Sequence, residues 1–387
     1  MQERILKYGC NPNQNFARIY TEGKLPIEIL NGNIGYINLL DALNGYQLVR
    51  ELKTALGKAA AASFKHVSPA GAAIGEPLSD TERKAFLAPV RPLSEIASAY
   101  TRARGTDRIC SFGDFIALSD ECDEDTARVI RPETSDGIIA PSFSKEALDI
   151  LKKKRKGSYN IVRIDEDYDP GPLEKREVYG ISFEQSRNNI VIDESMLKDI
   201  VTKNKALTEQ AKRDLLLGLI TLKYTQSNSV CYVKGGQTIG VGAGQQSRIH
   251  CTALAGDKAD NFNLRFHEKV LNLQFLDSIS RPDKDNLINI YISKDSASLQ
   301  VGWEKYFLTK PELLSEEEKA KFISEISGVS LASDAFFPFG DNIVRAAKSG
   351  VSYVVEAGGS LRDNEVINVA DEYDMVMAFC HARFFHH

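Results

Sequence analysis

No two cysteines of this chain stand in a C-x-x-C pair. The six, Cys10, Cys110, Cys122, Cys231, Cys251 and Cys380, are scattered over 387 residues. That argues against a zinc ribbon and a disulfide framework, and fits a reducing cytosol. Long apolar runs are missing too. The longest, Leu215 to Leu222, carries Gly218 and Thr221 and is far too short to span a bilayer. Met1-Gln2-Glu3-Arg4 lacks the apolar segment of a signal peptide. There is no excess of positive charge: the net charge is −5 and the pI about 5.8, a poor match to a protein that wraps nucleic acid. No long linker or low-complexity segment appears.

What is present is ordinary for a soluble globular protein: 43% hydrophobic and 26% charged residues. The length predicts two domains or two fused subdomains. Short strand-like runs alternate with helix-like patterns, so the class is α/β. Gly137–Ala140, Ile161–Ile164 and Val351–Glu356 read as strands, and Ala59–Phe64 as a strand or a buried helix. Cys231–Val233 and Thr238–Val241 flank Gly235-Gly236 as a hairpin. Leu39–Leu56 has helical spacing and ends at Gly57. Ser144 is expected to cap a helix to Lys156 with Gly157 beyond it. Ser315 with Glu318 makes a capping box for a helix closed by Gly328. Asp341 is expected to cap a helix through Ala347. The basic run Lys152–Lys156 reads as cations at a helix C-terminus. Phe112-Gly113-Asp114 and Phe339-Gly340-Asp341 echo each other, both before apolar helix-like stretches, a slight sign of duplication.

Three segments carry candidate chemistry. In Ala62–Gly71 a strand-like run leads into Lys65-His66, then a Pro/Gly turn, then an Ala-rich helix start. A cation beside His66 disfavours imidazolium and keeps it available as a base, and the same ammonium can stabilise an oxyanion. The bland alternative is a histidine satisfying a loop carbonyl. In Lys223–Ser229 and Gly240–His250 a Gly-rich loop resembles a phosphate cradle opening a helix. It has neither G-x-G-x-x-G nor a Walker spacing, and the alternative is a Gly-rich turn with a surface Arg248. In Ser333–Asn342 three phenylalanines beside Pro338-Gly340 could form a slot for a flat heterocycle or simply a core strand and turn. The terminal His386-His387 is two residues only.

Together these segments resemble the AICAR transformylase portion of the bifunctional purine-biosynthesis family that also carries IMP cyclohydrolase. The resemblance runs from Lys7-Tyr8-Gly9-Cys10-Asn11-Pro12 to Arg383–His387. It passes through Leu30-Asn31-Gly32, Phe64-Lys65-His66, Ser111–Phe115, Ser135–Pro141, Arg187-Asn188-Asn189, Val201-Thr202-Lys203, Lys223–Ser229, Ala243–Cys251, Leu254–Lys258 and Ser333–Phe339. Ser68-Pro69-Ala70-Gly71 looks closer to the animal-type variant than to the Asn-Pro-Cys-Gly form.

The resemblance implies two similar cytidine-deaminase-like subdomains, each a mixed sheet flanked by helices, roughly 1–172 and 173–387, with segments that cross between them. The deaminases' H-x-E and P-C-x-x-C zinc signature is absent, so the scaffold is implied without the metal. Transfer of a formyl group from 10-formyltetrahydrofolate to the 5-amino group of AICAR is expected, in a cytoplasmic homodimer whose active sites use both subunits. By matching motif, His66 is the expected proton acceptor and Lys65 the transition-state stabiliser. Lys7, Tyr8, Gly113, Asp136, Phe336 and Arg383 would hold the nucleotide, with Asn228 (also catalytic) and Arg248 from the partner subunit. Ile249, Asp341, Ser360, Leu361, Phe112 and Pro338 would line the folate side. No metal is expected in catalysis, and a structural monovalent cation is compatible with the resemblance. Neither nucleic acid nor membrane is an expected partner. The family usually has Arg where Lys7 stands, and Lys lacks the bidentate fork. The loop Glu356–Leu361 also departs from familiar members. The chain is expected to lack the cyclohydrolase domain, to end naturally at His387, and to depend on a separate cyclohydrolase. Two rivals stand beside this reading: a nucleoside deaminase, which lacks its zinc ligands here, and a binding regulator that lost catalysis, against which Lys65, His66 and Asn228 argue.

Overall fold

The computed structural model describes residues 1–387. The chain opens with an antiparallel hairpin, β1 (Gln2–Leu6) and β2 (Ala17–Thr21). The first large sheet follows, built from β3 (Ile27–Asn31), β4 (Ala60–Phe64), β5 (Pro69–Ile74), β6 (Asp114–Leu118), β7 (Ser135–Ala140) and β8 (Asn160–Ile164), in the spatial order β3-β8-β7-β6-β4-β5. Helix α1 (Tyr36–Leu56) precedes the β4–β5 hairpin and ends at Gly57, whose φ of 66° supplies the left-handed cap. Between the later strands lie α2 (Asp80–Ala85), α3 (Glu95–Gly105), α4 (Glu124–Ile130) and α5 (Lys145–Leu151).

A second hairpin, β9 (Leu173–Val178) and β10 (Ile181–Ser186), leads to the second sheet. Its strands are β11 (Asp199–Ile200), β12 (Val230–Val233), β13 (Thr238–Gly242), β14 (Val329–Ser333), β15 (Val351–Glu356) and β16 (Val376–Phe379), ordered β11-β16-β15-β14-β12-β13. Its helices are α6 (Glu209–Lys223), α7 (Arg248–Leu264), α8 (Glu268–Leu271), α9 (Arg281–Ile292), α10 (Glu316–Ser324), α11 (Asp341–Ala347) and α12 (Asp363–Glu372). Both six-stranded sheets are mixed and repeat one topology: an antiparallel hairpin (β4–β5, β12–β13), then parallel strands (β6-β7-β8, β14-β15-β16), then an antiparallel edge (β3, β11). This topological repeat, and not the tripeptide echo, is the sign of duplication. Asp114 opens a strand whereas Asp341 opens a helix, so the two Phe-Gly-Asp triplets occupy unlike places.

Several local expectations change. The Ala-rich run after Pro69 is strand β5, not a helix start. It pairs with β4 on one side and reaches the second sheet on the other, where Ile74 N–H donates to Gly236 at 3.0 Å. Its small residues let α3 lie close: a Cβ on Gly71 would stand 2.2 Å from the Ala103 carbonyl oxygen. Gly240 and Gly242 lie inside β13, and a Cβ on Gly240 would fall 2.2 Å from the Ala255 carbonyl oxygen of α7. Those glycines serve strand–helix packing and cradle no phosphate. Ser144 caps α5 as expected, but that helix stops at Leu151, and Arg155 and Lys156 adopt φ of 51° and 56°. Asp341 is the first residue of α11, with Gly340 at the cap. The Ser315–Glu318 capping box forms on α10.

Helices α1 and α6 pack on one another and share an apolar core that includes Leu48, Leu52, Phe64, Leu215, Leu219 and Val233. The sheets meet edge to edge at β5 and β13, where Ala72 N–H donates to Thr238 Oγ1 at 2.9 Å and the Thr106 hydroxyl to the Thr238 carbonyl at 2.6 Å. The segment carrying α8, α9 and α10 has its own apolar cluster around Tyr291 and Phe307. It is strapped to the first sheet by buried charges: Arg104 bridges Asp114 and Glu133, while Arg108 joins Glu133 to Asp285. Burial pushes the Glu133 carboxyl up, but the Arg108, Arg104 and Arg281 guanidinium groups outweigh it and hold it near 2.

Candidate functional site

Strand β4 delivers Lys65 at its C-terminal end. The residue is partly buried, and its Nζ donates to the Phe112 carbonyl oxygen at 2.7 Å. Lys65 and Ser68 close a tight turn through reciprocal backbone bonds of 2.9 and 3.3 Å. Between them His66 and Val67 both sit in left-handed backbone, φ 55° and 56°. For a β-branched residue this is a real outlier, costing about 1–3 kcal/mol. The strain is held from below by Asp41 of α1, whose Oδ1 accepts the Val67 N–H at 2.7 Å. Burial raises the Asp41 carboxyl above its usual range, against the bond from Val67 and the nearby His66. The result is an exposed imidazole on a rigid turn beside an anchored ammonium. Gly113, with φ 74°, and Asp136 at the start of β7 complete this end of the sheet, Gly113 N–H donating to Thr134 at 3.1 Å. Asp136 is paired with Arg155 at 2.6 Å, so part of the basic run lies against it.

The adjoining end of the second sheet, where β12 begins and β13 and β14 end, carries Asn228 and Arg248. Asp334 organises them. Its Oδ2 accepts the Ser227 hydroxyl at 2.6 Å and both the Ser229 N–H and hydroxyl at 3.0 Å, and its Oδ1 receives Arg248 Nη1. Arg248 Nη2 then donates to Asn228 Oδ1 at 2.8 Å, and Asn228 Nδ2 to Gln245 at 2.8 Å. Arg248 and Asp334 are both buried. The Arg248 guanidinium, expected to meet the nucleotide, is thus bonded within its own chain to Asp334 and to Asn228, which it orients. The C-terminal tail crosses the same place: Phe384 is buried with its N–H on the Asp334 carbonyl at 2.8 Å, and Ser227 N–H donates to His386 at 3.0 Å. Burial lowers the His386 imidazole below its ordinary range. Arg383 is exposed, its guanidinium 4.5 Å from the Phe385 ring centroid.

The aromatic run forms the turn between β14 and α11. Phe336 and Phe339 are exposed, Pro338 is half-buried and Phe337 lies in the core, its N–H donating to the Glu356 carboxyl. Ile249 is half-buried in the first turn of α7, and Asp341 is exposed and accepts from Asn342 at 2.8 Å. Ser360 N–H donates to Asp363 at 2.9 Å, Leu361 is wholly exposed, and Arg362 lies 4.9 Å over the Phe339 ring. Lys7 and Tyr8 follow β1 and make a cation–π contact at 5.8 Å, with no hydrogen bond to another predicted site residue. The two sheet ends touch within one chain where Gln226 N–H donates to Ser68 Oγ at 3.3 Å. No group of three or more His, Cys, Asp or Glu side chains is placed to hold a metal ion, and no helix is long and apolar enough to cross a membrane.

Comparison with known proteins decides the family. The model of the AICARFT/IMPCHase bienzyme matches residues 1–258. The chain belongs to the AICARFT/IMPCHase bienzyme family. Bifunctional purine biosynthesis proteins PurH resemble this member throughout. That of Bartonella bacilliformis is 30% identical over 390 residues, 100% of this chain and 59% of the relative. That of Bradyrhizobium diazoefficiens is 30% identical over 387 residues, 99% and 59%. That of Ruegeria sp. is 31% identical over 392 residues, 99% and 60%. The chain thus spans about three-fifths of the length of these relatives.

Asp41 and Asp334, which hold the two turns, escaped sequence reasoning. Asp41 left one legible trace, an acid on the apolar face of α1 between Leu39 and Ala42. Asp334 lay in a segment already singled out, but nothing local tied it to Arg248.

Proposed function

We propose that this family member transfers a formyl group from 10-formyltetrahydrofolate to the 5-amino group of AICAR, giving FAICAR and tetrahydrofolate. One observation carries the reading: Lys65 and His66 sit together at the end of β4, the ammonium anchored on Phe112 and the imidazole exposed on a turn pinned by Asp41. An aromatic amine conjugated to a carboxamide is a weak nucleophile. Its attack on the formyl carbon forms the new N–C bond and an oxyanion. His66 accepts the amine proton, Lys65 and Asn228 meet the oxyanion, and collapse breaks the bond to the folate N10, which takes that proton back from His66 and leaves as a neutral secondary amine. Lys7, Tyr8, Gly113, Asp136, Phe336 and Arg383 serve the nucleotide in this reading. Phe112, Ile249, Pro338, Asp341, Ser360 and Leu361 serve the folate.

The working form is a cytoplasmic homodimer of a unit divided near residue 172, with Asn228 of one subunit serving Lys65 and His66 of the other. Two hairpins support a second copy. Every residue of β9 and β10 is exposed, with Tyr179 wholly so and Leu173, Ile181 and Phe183 about half or more. On the β1–β2 hairpin Ile5, Phe16 and Tyr20 are exposed. An isolated two-stranded hairpin is marginal in water, and apolar exposure on this scale marks an interface. Ring closure of the product falls to a cyclohydrolase activity outside these residues.

Incubation of the purified protein with AICAR and 10-formyltetrahydrofolate, with tetrahydrofolate followed optically, tests the reaction. Formation that depends on both substrates is the expected result. None at saturating concentrations of both overturns the reading.

A further inference from the structure

One acid near the site takes no part in the mechanism above. Glu356 is the last residue of β15, on the face that also carries Val354 and packs against α7 and α11. It is wholly buried. One carboxyl oxygen, Oε2, accepts the N–H of Phe337, while Oε1 has no hydrogen-bond partner in the protein. Its backbone carbonyl accepts Cys380 N–H at 2.8 Å. Glu356 therefore ties the middle of the aromatic turn to the sheet and to the C-terminal tail, and Phe336, Pro338 and Phe339 are presented from either side of the residue it grips.

We propose that Glu356 is a positioning residue for the one-carbon donor, fixing through the Phe337 N–H the aromatic turn against which the donor's flat ring lies. This deepens the functional reading given above and rests on it for the identity of the donor.

The carboxyl is neutral when it does so. Burial pushes it up to about 8, joined by repulsion from Asp363 and opposed by the Phe337 bond and by Arg248. The charged and titratable groups around it are Arg248 of α7, committed to Asp334; Asp334 beyond β14; Asp363, the first residue of α12, which accepts the Gly359 and Ser360 N–H groups; and the Cys380 thiol of the tail. None supplies a free cation for an ionised Glu356. Above its folded titration range the carboxylate must find water or shift, and the turn loosens. Because the folded value lies above the ordinary carboxylate value, the conformational stability linked to this group falls as pH rises from about 4.5 to about 8.

The test compares wild type with Glu356→Gln and Glu356→Ala. Gln keeps the acceptor for Phe337 and cannot ionise. For wild type, KM for 10-formyltetrahydrofolate should rise about tenfold per pH unit above pH 8 with kcat little changed, the slope of one ionisation. The Gln variant should follow a flat profile with near-normal kcat, and the Ala variant should show KM raised about tenfold or more at every pH. A shared profile for wild type and Gln, or an unchanged KM in Ala, overturns the proposal. Urea unfolding supplies an arm independent of catalysis: the Gln variant's midpoint should exceed that of wild type at pH 8, with the two converging toward pH 5. Midpoints that run parallel across that range refute the neutral carboxyl even if the transformylase reading holds. Absence of turnover in wild type with converging midpoints refutes the transformylase reading alone.

Discussion

Replacing Asp334 by Asn tests the arrangement that positions Asn228. The substitution conserves shape, so only charge and hydrogen-bond direction change. In the native site every neighbour donates: Arg248 to Oδ1, and Ser227 Oγ, Ser229 N and Ser229 Oγ to Oδ2. An asparagine has one acceptor end and one donor end. With its oxygen toward the serines, its NH2 faces the guanidinium. Flipped, it satisfies the guanidinium and turns the NH2 on the serines. Either way a buried donor is stranded and the Arg248 charge loses its partner. Removing one member of a buried pair costs about 3–5 kcal/mol, a large share of the roughly 5–15 kcal/mol by which a domain is stable. Urea denaturation followed by circular dichroism at pH 7 should show a loss in that range. The paired substitution Asp334→Leu with Arg248→Met should be less damaging than Asp334→Asn alone, because it removes both charges from the low-dielectric site. A loss under about 1 kcal/mol for Asp334→Asn, where mutational effects of surface residues lie, would refute the buried pair as the organiser of this loop.

His66→Ala should lower kcat by about 10²–10⁴ while calorimetric AICAR affinity persists; a near-normal kcat would remove His66 as the base. Lys65→Ala should act mainly on kcat, and a pure KM effect would make the ammonium a binding group. Mixing His66→Ala with Asn228→Ala subunits should restore about a quarter of wild-type activity, since half of random dimers are mixed and one of their two sites is intact; no recovery would mean that Asn228 serves His66 of its own chain. Gly71→Ala would press a methyl 2.2 Å from the Ala103 carbonyl and should cost about 1–3 kcal/mol, read as a lowered Tm; an unchanged Tm would show that α3 can move away.

Local signals served well where the information was itself local. The end of α1 at Gly57 and the Ser315–Glu318 capping box needed only residues a few positions apart, because caps and helical period are properties of one or two turns. The Gly235-Gly236 hairpin was legible for the same reason. Lys65 and His66 were legible because a strand pattern ended on them. Their support was not: Phe112 lies 47 residues beyond Lys65, and Asp41 26 residues before Val67.

By itself, then, the sequence determined many of the caps and turns, the α/β class and the segments that matter. Tertiary structure decided what those segments do. The Ala-rich run became a strand because β4 and the second sheet offered its backbone groups partners that a helix start would have forgone. The glycines of β13 became a packing surface because α7 lies on them. Arg248 went behind Asn228 because Asp334, 86 residues away, is buried beside it, and a buried guanidinium goes to the carboxylate that offsets its desolvation. Periodicity and caps are written within one turn of chain; charge pairing and burial depend on neighbours that only the folded chain brings together.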